Sequence, residues 1–144
     1  MLKSDKCLLS DLGAEWMLRV SFAIVYVWFG ALKPLGVSPA HELVTSTLSW
    51  TTTDQVVNIL GFCEIIVGLM FLIPRVTKVT LLMFVLHMVG TVMPLLFLRH
   101  ISFVHWPYAL TLVGQYIVKN AVFLAAGAAL WVLYRGRKTS TLVK

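Results

Sequence analysis

The chain is poor in charge. Only 12% of its 144 residues are Asp, Glu, Lys or Arg, against 59% hydrophobic. A soluble domain carries about a quarter charged residues and about half apolar ones, so this composition excludes an ordinary soluble globule. Cysteine is nearly absent. Cys7 sits in a polar N-terminal stretch and Cys63 inside an apolar run, which excludes a disulfide framework between them. No C-x-x-C, thiolate cluster or haem-attachment sequence occurs, so the chain brings no redox centre of its own. It also lacks a Walker loop, a G-x-S-x-G elbow and an H-E-x-x-H pair. No constellation for nucleophilic or metal catalysis is visible. His41, His100 and His105 lack metal-ligand spacing. The net charge of +6 does not point to nucleic acid, because the cations lie beside apolar runs and no basic aromatic surface accompanies them. The first apolar run has no small-residue cleavage site, and we expect it to stay as a span.

What the chain does contain is long apolar segments. Crossing a bilayer takes about 20 mostly apolar helical residues. Four segments qualify, at about 16–32, 56–73, 79–98 and 115–134. Backbone polar groups in lipid must be satisfied within the segment, which favours helices. The expected fold is all-α: a four-transmembrane-helix antiparallel bundle forming a single integral membrane domain over residues 1–144, with a short interfacial helix in the first outer loop. Ser38-Pro39-Ala40-His41-Glu42 reads as a helix start, and Ala40, Leu43, Val44, Thr47 and Leu48 recur at helical spacing, giving an amphipathic helix at about 39–50. Thr51 to Asp54 would end it and cap the second span. The stretch 99–114, with Arg99, His100, His105, Trp106 and Tyr108, is expected to rest at the outer interface.

The basic residues orient the spans. Lys3, Lys6, Arg19, Arg75, Lys78, Arg135, Arg137, Lys138 and Lys144 fall on the side of the termini; Lys33, Arg99 and Lys119 fall on the other. Nine against three places both termini in the cytoplasm. Trp16, Trp131 and Tyr134 would mark the inner interface, and Trp50, Trp106 and Tyr108 the outer one.

Four ionisable residues interrupt the apolar spans: Lys33, Glu64, His87 and Lys119. A charge at the bilayer centre costs about 2.5–3.5 kcal/mol on insertion scales, so each calls for a partner or a role. They lie on polar, small-residue stripes: Arg19, Tyr26, Gly30 and Lys33; Asn58, Gly61, Glu64 and Gly68; His87, Gly90, Thr91 and Pro94; Gln115, Lys119 and Ala126. The stripes should converge, because glycine permits close approach and polar groups need partners. Glu64 and His87 each lie eight residues into their spans, roughly 12 Å deep. We therefore expect Glu64 at the centre of a buried cluster, Lys33 and Lys119 above it, His87 beside it and Tyr26 on its wall. A structural ion pair that only fixes helix packing competes with a ligand or proton role at Glu64. Snorkelling competes with pairing at Lys33, and a neutral cross-bundle hydrogen bond with a relay at His87. Glu15 and Arg19 are spaced for a structural i,i+4 ion pair. One carboxylate beside two ammonium groups would repel a cation, so anionic or carbonyl-bearing ligands suit the cluster.

Three segments carry a family likeness. Arg19 is followed by apolar residues and by Trp28-Phe29-Gly30-Ala31-Leu32-Lys33. Gly61-Phe62-Cys63-Glu64-Ile65-Ile66-Val67-Gly68-Leu69 follows, with Pro74 beyond it, and then Tyr116-Ile117-Val118-Lys119-Asn120 leads into an alanine-rich span. In order and on these spans they resemble the DoxX-like superfamily of small four-span bacterial membrane proteins, most closely its YkgB-type branch, which is linked to resistance to reactive chlorine species. The resemblance implies a bundle in the inner membrane and pattern positions at Arg19, Gly30, Lys33, Glu64, Gly68, Lys119 and Asn120. It also supplies the redox flavour, through a quinone-linked oxidoreductase subunit among the superfamily's members. His87 matches none of its motifs. The expected function is thus an accessory membrane protein, not a catalyst on its own, that binds a quinone or lipid at Glu64, Lys33, Lys119, His87, Tyr26 and Asn120. Its expected surroundings are the lipid bilayer and a redox-complex subunit or a second copy of itself. The alternatives are a purely structural or assembly subunit and a small transporter.

Overall fold

The structure, a computed structural model, describes residues 5–38, 41–47 and 54–142. Pro39, Trp50 and the run 51–53, to which the sequence assigns capping and interface roles, lie outside the described residues. The chain is mostly helical. Among the described residues, three helices are long and apolar enough to cross a membrane: Ser10–Leu32, Pro74–Phe97 and Leu112–Arg137. A fourth apolar helix, Gln55–Phe71, is shorter.

α1 (Asp5–Leu32) begins well before the apolar run does. Its first two turns hold polar residues that suit helix but not lipid, so the helix outruns the expected span at 16–32. It stops where Lys33 precedes proline, a position that disfavours the α conformation. The stop is a Schellman turn: Val37 N–H donates to Leu32 O at 3.1 Å, Gly36 N–H donates to Lys33 O at 3.0 Å, and Gly36 takes φ +71. α2 (His41–Thr47) falls within the interval expected for the loop helix. α3 (Asp54–Phe71) follows, and a 3-10 turn at Pro74–Val76 leads into α4 (Thr77–Phe97).

Beyond α4 the structure departs from the all-α expectation. A single turn, α5 (Arg99–Ser102), opens a small antiparallel hairpin, β1 (Phe103–His105) with β2 (Ala109–Leu110). The aromatic and β-branched residues at 103–104 favour extended backbone, and Pro107 helps form the turn. The expected fourth span at 115–134 falls inside the apolar helical stretch Leu112–Arg137. It consists of α6 (Leu112–Val118) and α7 (Asn120–Leu142), with Lys119 as a turn between them. α6 starts earlier than expected because Thr111 caps it, its Oγ1 accepting from Gly114 N–H at 3.2 Å.

The long helices run antiparallel, as their pairings show: Phe22 with Phe71, Phe71 with Phe84, Phe22 with Phe123. α1 and α3 are the closest pair. Phe22, Tyr26, Val67, Phe71, Phe84, Met88 and Leu130 form the buried core. The opposite faces are apolar and exposed, for example Met17, Trp28, Leu86 and Val122. In water such surface would be an aggregation hazard; facing hydrocarbon it is matched to its solvent. The inner ends of α1 and α7 and the α3–α4 turn share one face of the molecule, here the terminal face. The turn at 33–38 and the hairpin share the other, the loop face.

Candidate functional site

Tyr26 and Lys33 are seven residues apart on α1, hence on one stripe, with Gly30 between them. Because Gly30 has no side chain, α3 closes on α1 there; a Cβ on Gly30 would lie 3.0 Å from the Glu64 Cβ. The glycine thereby seats Glu64 between the two α1 side chains and opposite α4.

The result is a continuous hydrogen-bonded chain. The Lys33 ammonium donates to Glu64 Oε2. Glu64 Oε1 lies 2.8 Å from His87 Nε2, and His87 Nδ1 lies 3.0 Å from the Tyr26 hydroxyl. An ionised carboxylate only accepts, so Nε2 carries the proton; in the neutral imidazole Nδ1 then accepts from the Tyr26 O–H. Lys33, Glu64 and Tyr26 are buried, at 6%, 7% and 4% exposure, whereas the His87 side chain is 20% exposed. The imidazole is the member that an incoming molecule reaches first. Ammonium and carboxylate neutralise each other, so neither is left as an uncompensated buried charge.

Asn120 adds a strut one turn toward the loop face. Its Nδ2 donates to Thr91 Oγ1 at 3.1 Å, and Thr91 Oγ1 donates to Met88 O at 2.8 Å. Thr91 is i+4 from His87, so α7 is tied to α4 directly beyond the imidazole. Lys119, expected above Glu64, stands apart. Its side chain is exposed, with the ammonium 4.4 Å from the centroid of the Tyr116 ring. Its backbone stays helical, with φ −57 and ψ −22, so position 119 simply lies on the exposed side of the helix rather than on the side facing Glu64.

A second polar group lies on the terminal face. Arg19 is fully buried and Glu15 nearly so. Arg19 Nε and Nη2 donate to Glu15 Oε1 at 2.9 and 2.8 Å. Its Nη1 donates to Phe71 O at 2.9 Å and Nη2 to Thr77 Oγ1 at 2.7 Å. Arg137 reaches the same Glu15 oxygen at 3.4 Å. What the sequence reads as a local i,i+4 pair is therefore a clamp joining α1, the α3–α4 turn and α7. Thr77 and Arg137 escape sequence reasoning because nothing local links them to Arg19 and Glu15; only the packing of the α3–α4 turn and of α7 against α1 does.

Among the described residues, every buried side-chain nitrogen or oxygen has a hydrogen-bond partner. The polar pocket expected round Glu64 is thus filled by the protein's own contacts. A separate groove of about 210 Å³ opens between α1 and α7, lined by Leu18, Ser21, Phe22, Val25, Val122, Phe123 and Ala126. At the ends of the bundle, Arg99 lies over Trp106 at 5.2 Å and Arg135 over Trp131 at 5.7 Å, cation–aromatic pairs of the kind suited to a headgroup zone.

No family model, curated protein or solved structure matches this chain.

Proposed function

We propose that this chain is a four-span inner-membrane protein of DoxX-like type, with both termini cytoplasmic, that binds a lipophilic carbonyl-bearing molecule, a quinone, beside His87. It would serve as an accessory to a redox or stress-response system whose other members supply the electrons. The observation that carries this reading is the chain Lys33–Glu64–His87–Tyr26 with the imidazole as its most accessible member. A ligand carbonyl arriving there would take the His87 N–H or the Tyr26 O–H by displacing its partner within the chain, next to a carboxylate that can take up charge. The α1–α7 groove supports the same reading. It is an open, apolar groove that an isoprenoid tail could lie against, and it includes Phe22, one helical turn from Tyr26. The fourth span is argued from α3. Its 17-residue apolar stretch Gln55–Phe71, interrupted by Asn58 and Glu64, reaches about 26 Å at 1.5 Å per residue. Leu72 and Ile73 extend the apolar stretch toward the roughly 30 Å of a bilayer core.

The test is extraction and mass spectrometry of protein purified in native-lipid nanodiscs. Wild-type protein should retain quinone well above empty discs, and Glu64→Gln and His87→Gln should lose it while remaining folded. Wild-type discs with no enrichment would sink the reading.

One observation favours a second reading. Because the buried polar atoms already satisfy one another, the cluster can serve purely to fix helix register in an assembly subunit. In that case the same substitutions lower thermal stability and change nothing else.

A further inference from the structure

The two polar groups are stacked along the bundle with aromatic rings between them. Phe22 and Phe71 are stacked at 4.5 Å; Phe84 meets Phe22 edge-on at 5.2 Å and Phe71 at 5.9 Å. All three are at most 2% exposed. The Tyr26 ring rests on this layer, 6.0 Å from both Phe71 and Phe84. Below it come Arg19, Thr77 and Thr80, all fully buried and hydrogen-bonded among themselves or to carbonyls. From Tyr26 to Arg19 is seven residues of α1, about 10 Å along the axis. Proton transfer needs donors and acceptors about 3 Å apart, or waters with two to four polar partners each. A layer of phenyl rings offers neither.

The opposite direction is different. One turn beyond His87 on α4, partly buried Thr91 accepts from partly buried Asn120, which adjoins exposed Lys119. Lys33 is the last residue before the exposed turn 34–37. The ionisable groups that the packed elements contribute here are Tyr26 and Lys33 from α1, Glu64 from α3 and His87 from α4. α2, packed against α3 and α4, adds His41 near the loop face. α7 contributes the neutral Asn120.

We propose that the Lys33–Glu64–His87–Tyr26 chain is a one-sided proton-exchange site: it communicates with water at the loop face only and is sealed from the terminal face by the Phe22–Phe71–Phe84 layer. The protein then binds and releases protons at mid-membrane without conducting them across. This holds whether or not a quinone binds, and the two ideas fail separately.

The test is thiol accessibility in full-length protein carrying Cys7→Ser and Cys63→Ala, reconstituted in vesicles of both orientations. Thr91→Cys leaves all four members of the chain in place, His87→Cys reports the imidazole position itself, and Thr80→Cys lies beyond the aromatic layer. An impermeant cationic methanethiosulfonate reagent should label positions 91 and 87 from the loop face only, and should not reach position 80 from that face. Labelling of position 91 from the terminal face, from both faces or from neither overturns the proposal. A second measurement needs no substitution. Wild-type proteoliposomes under an imposed pH gradient should collapse it no faster than protein-free vesicles, and faster collapse overturns the seal. Phe84→Asn should raise the rate, and Glu64→Gln on that background should lower it again. Absence of quinone from the purified protein, with labelling still confined to the loop face, would refute the ligand reading and leave this one standing.

Discussion

Gly30 and Gly61 face each other so closely that a Cβ on the first would lie 2.7 Å from the Gly61 carbonyl oxygen, and one on the second 2.6 Å from the Gly30 oxygen. No real side chain tolerates either distance. The contact sets the spacing of α1 and α3, and with it the reach of Lys33 to Glu64.

Gly30→Ala and Gly61→Ala should therefore each destabilise the protein. Alanine gains up to about 1 kcal/mol in helix propensity over glycine. The backbone clash outweighs that gain, overpacking costing about 1–3 kcal/mol. Thermal unfolding in detergent, followed by circular dichroism, should show a lower midpoint for both. An unchanged or higher midpoint would contradict the close approach.

Lys33→Met strands a buried carboxylate with only an imidazole to face it. Breaking one side of a buried pair costs about 3–5 kcal/mol, whereas replacing both sides is often near neutral. The double variant Lys33→Met with Glu64→Gln should consequently unfold closer to wild type than Lys33→Met alone. If the two losses simply add, the residues are not coupled as described.

Arg19→Met should be among the most damaging single changes in the chain. It removes four hydrogen bonds at once and leaves Glu15 with Arg137 alone. A loss of about 3–5 kcal/mol is expected. Thr77→Val, which removes one acceptor of that set, should cost about 1–3 kcal/mol. Unfolding midpoints that rank Thr77→Val above Arg19→Met in damage would refute the clamp.

Lys119→Gln should be nearly silent. The ammonium is exposed and rests on Tyr116, an arrangement giving about 0.5–1 kcal/mol. Histidine ring signals in the nuclear magnetic resonance spectrum should not move at His87. A shift there as large as that produced by Glu64→Gln would restore Lys119 to the cluster.

Helical spacing by itself makes four of these residues legible. Tyr26, Lys33, Glu64 and His87 each share a stripe with small residues, and such stripes turn inward when the surrounding solvent is apolar. The same logic fails for Lys119, whose backbone is helical but whose side chain lies on the exposed side against Tyr116, because the stripe on that helix does not say which side packs inward. The polar start of α1 is invisible to hydropathy because helix can continue where lipid ends. The hairpin at 103–110 leaves too short an alternation to register, its strands being three and two residues long. Thr77, Arg137 and the Phe71 carbonyl acquire their roles only from tertiary closure.

The two members of the central ion pair occur at positions 33 and 64 of 144, on the first two long helices, and those helices are the pair held together by glycine. Both are made before α4 and α7. If the chain enters a bilayer, the lysine and the glutamate can do so as a mutually neutralised couple, with α4 and α7 assembling afterwards around a hairpin that already covers its charges.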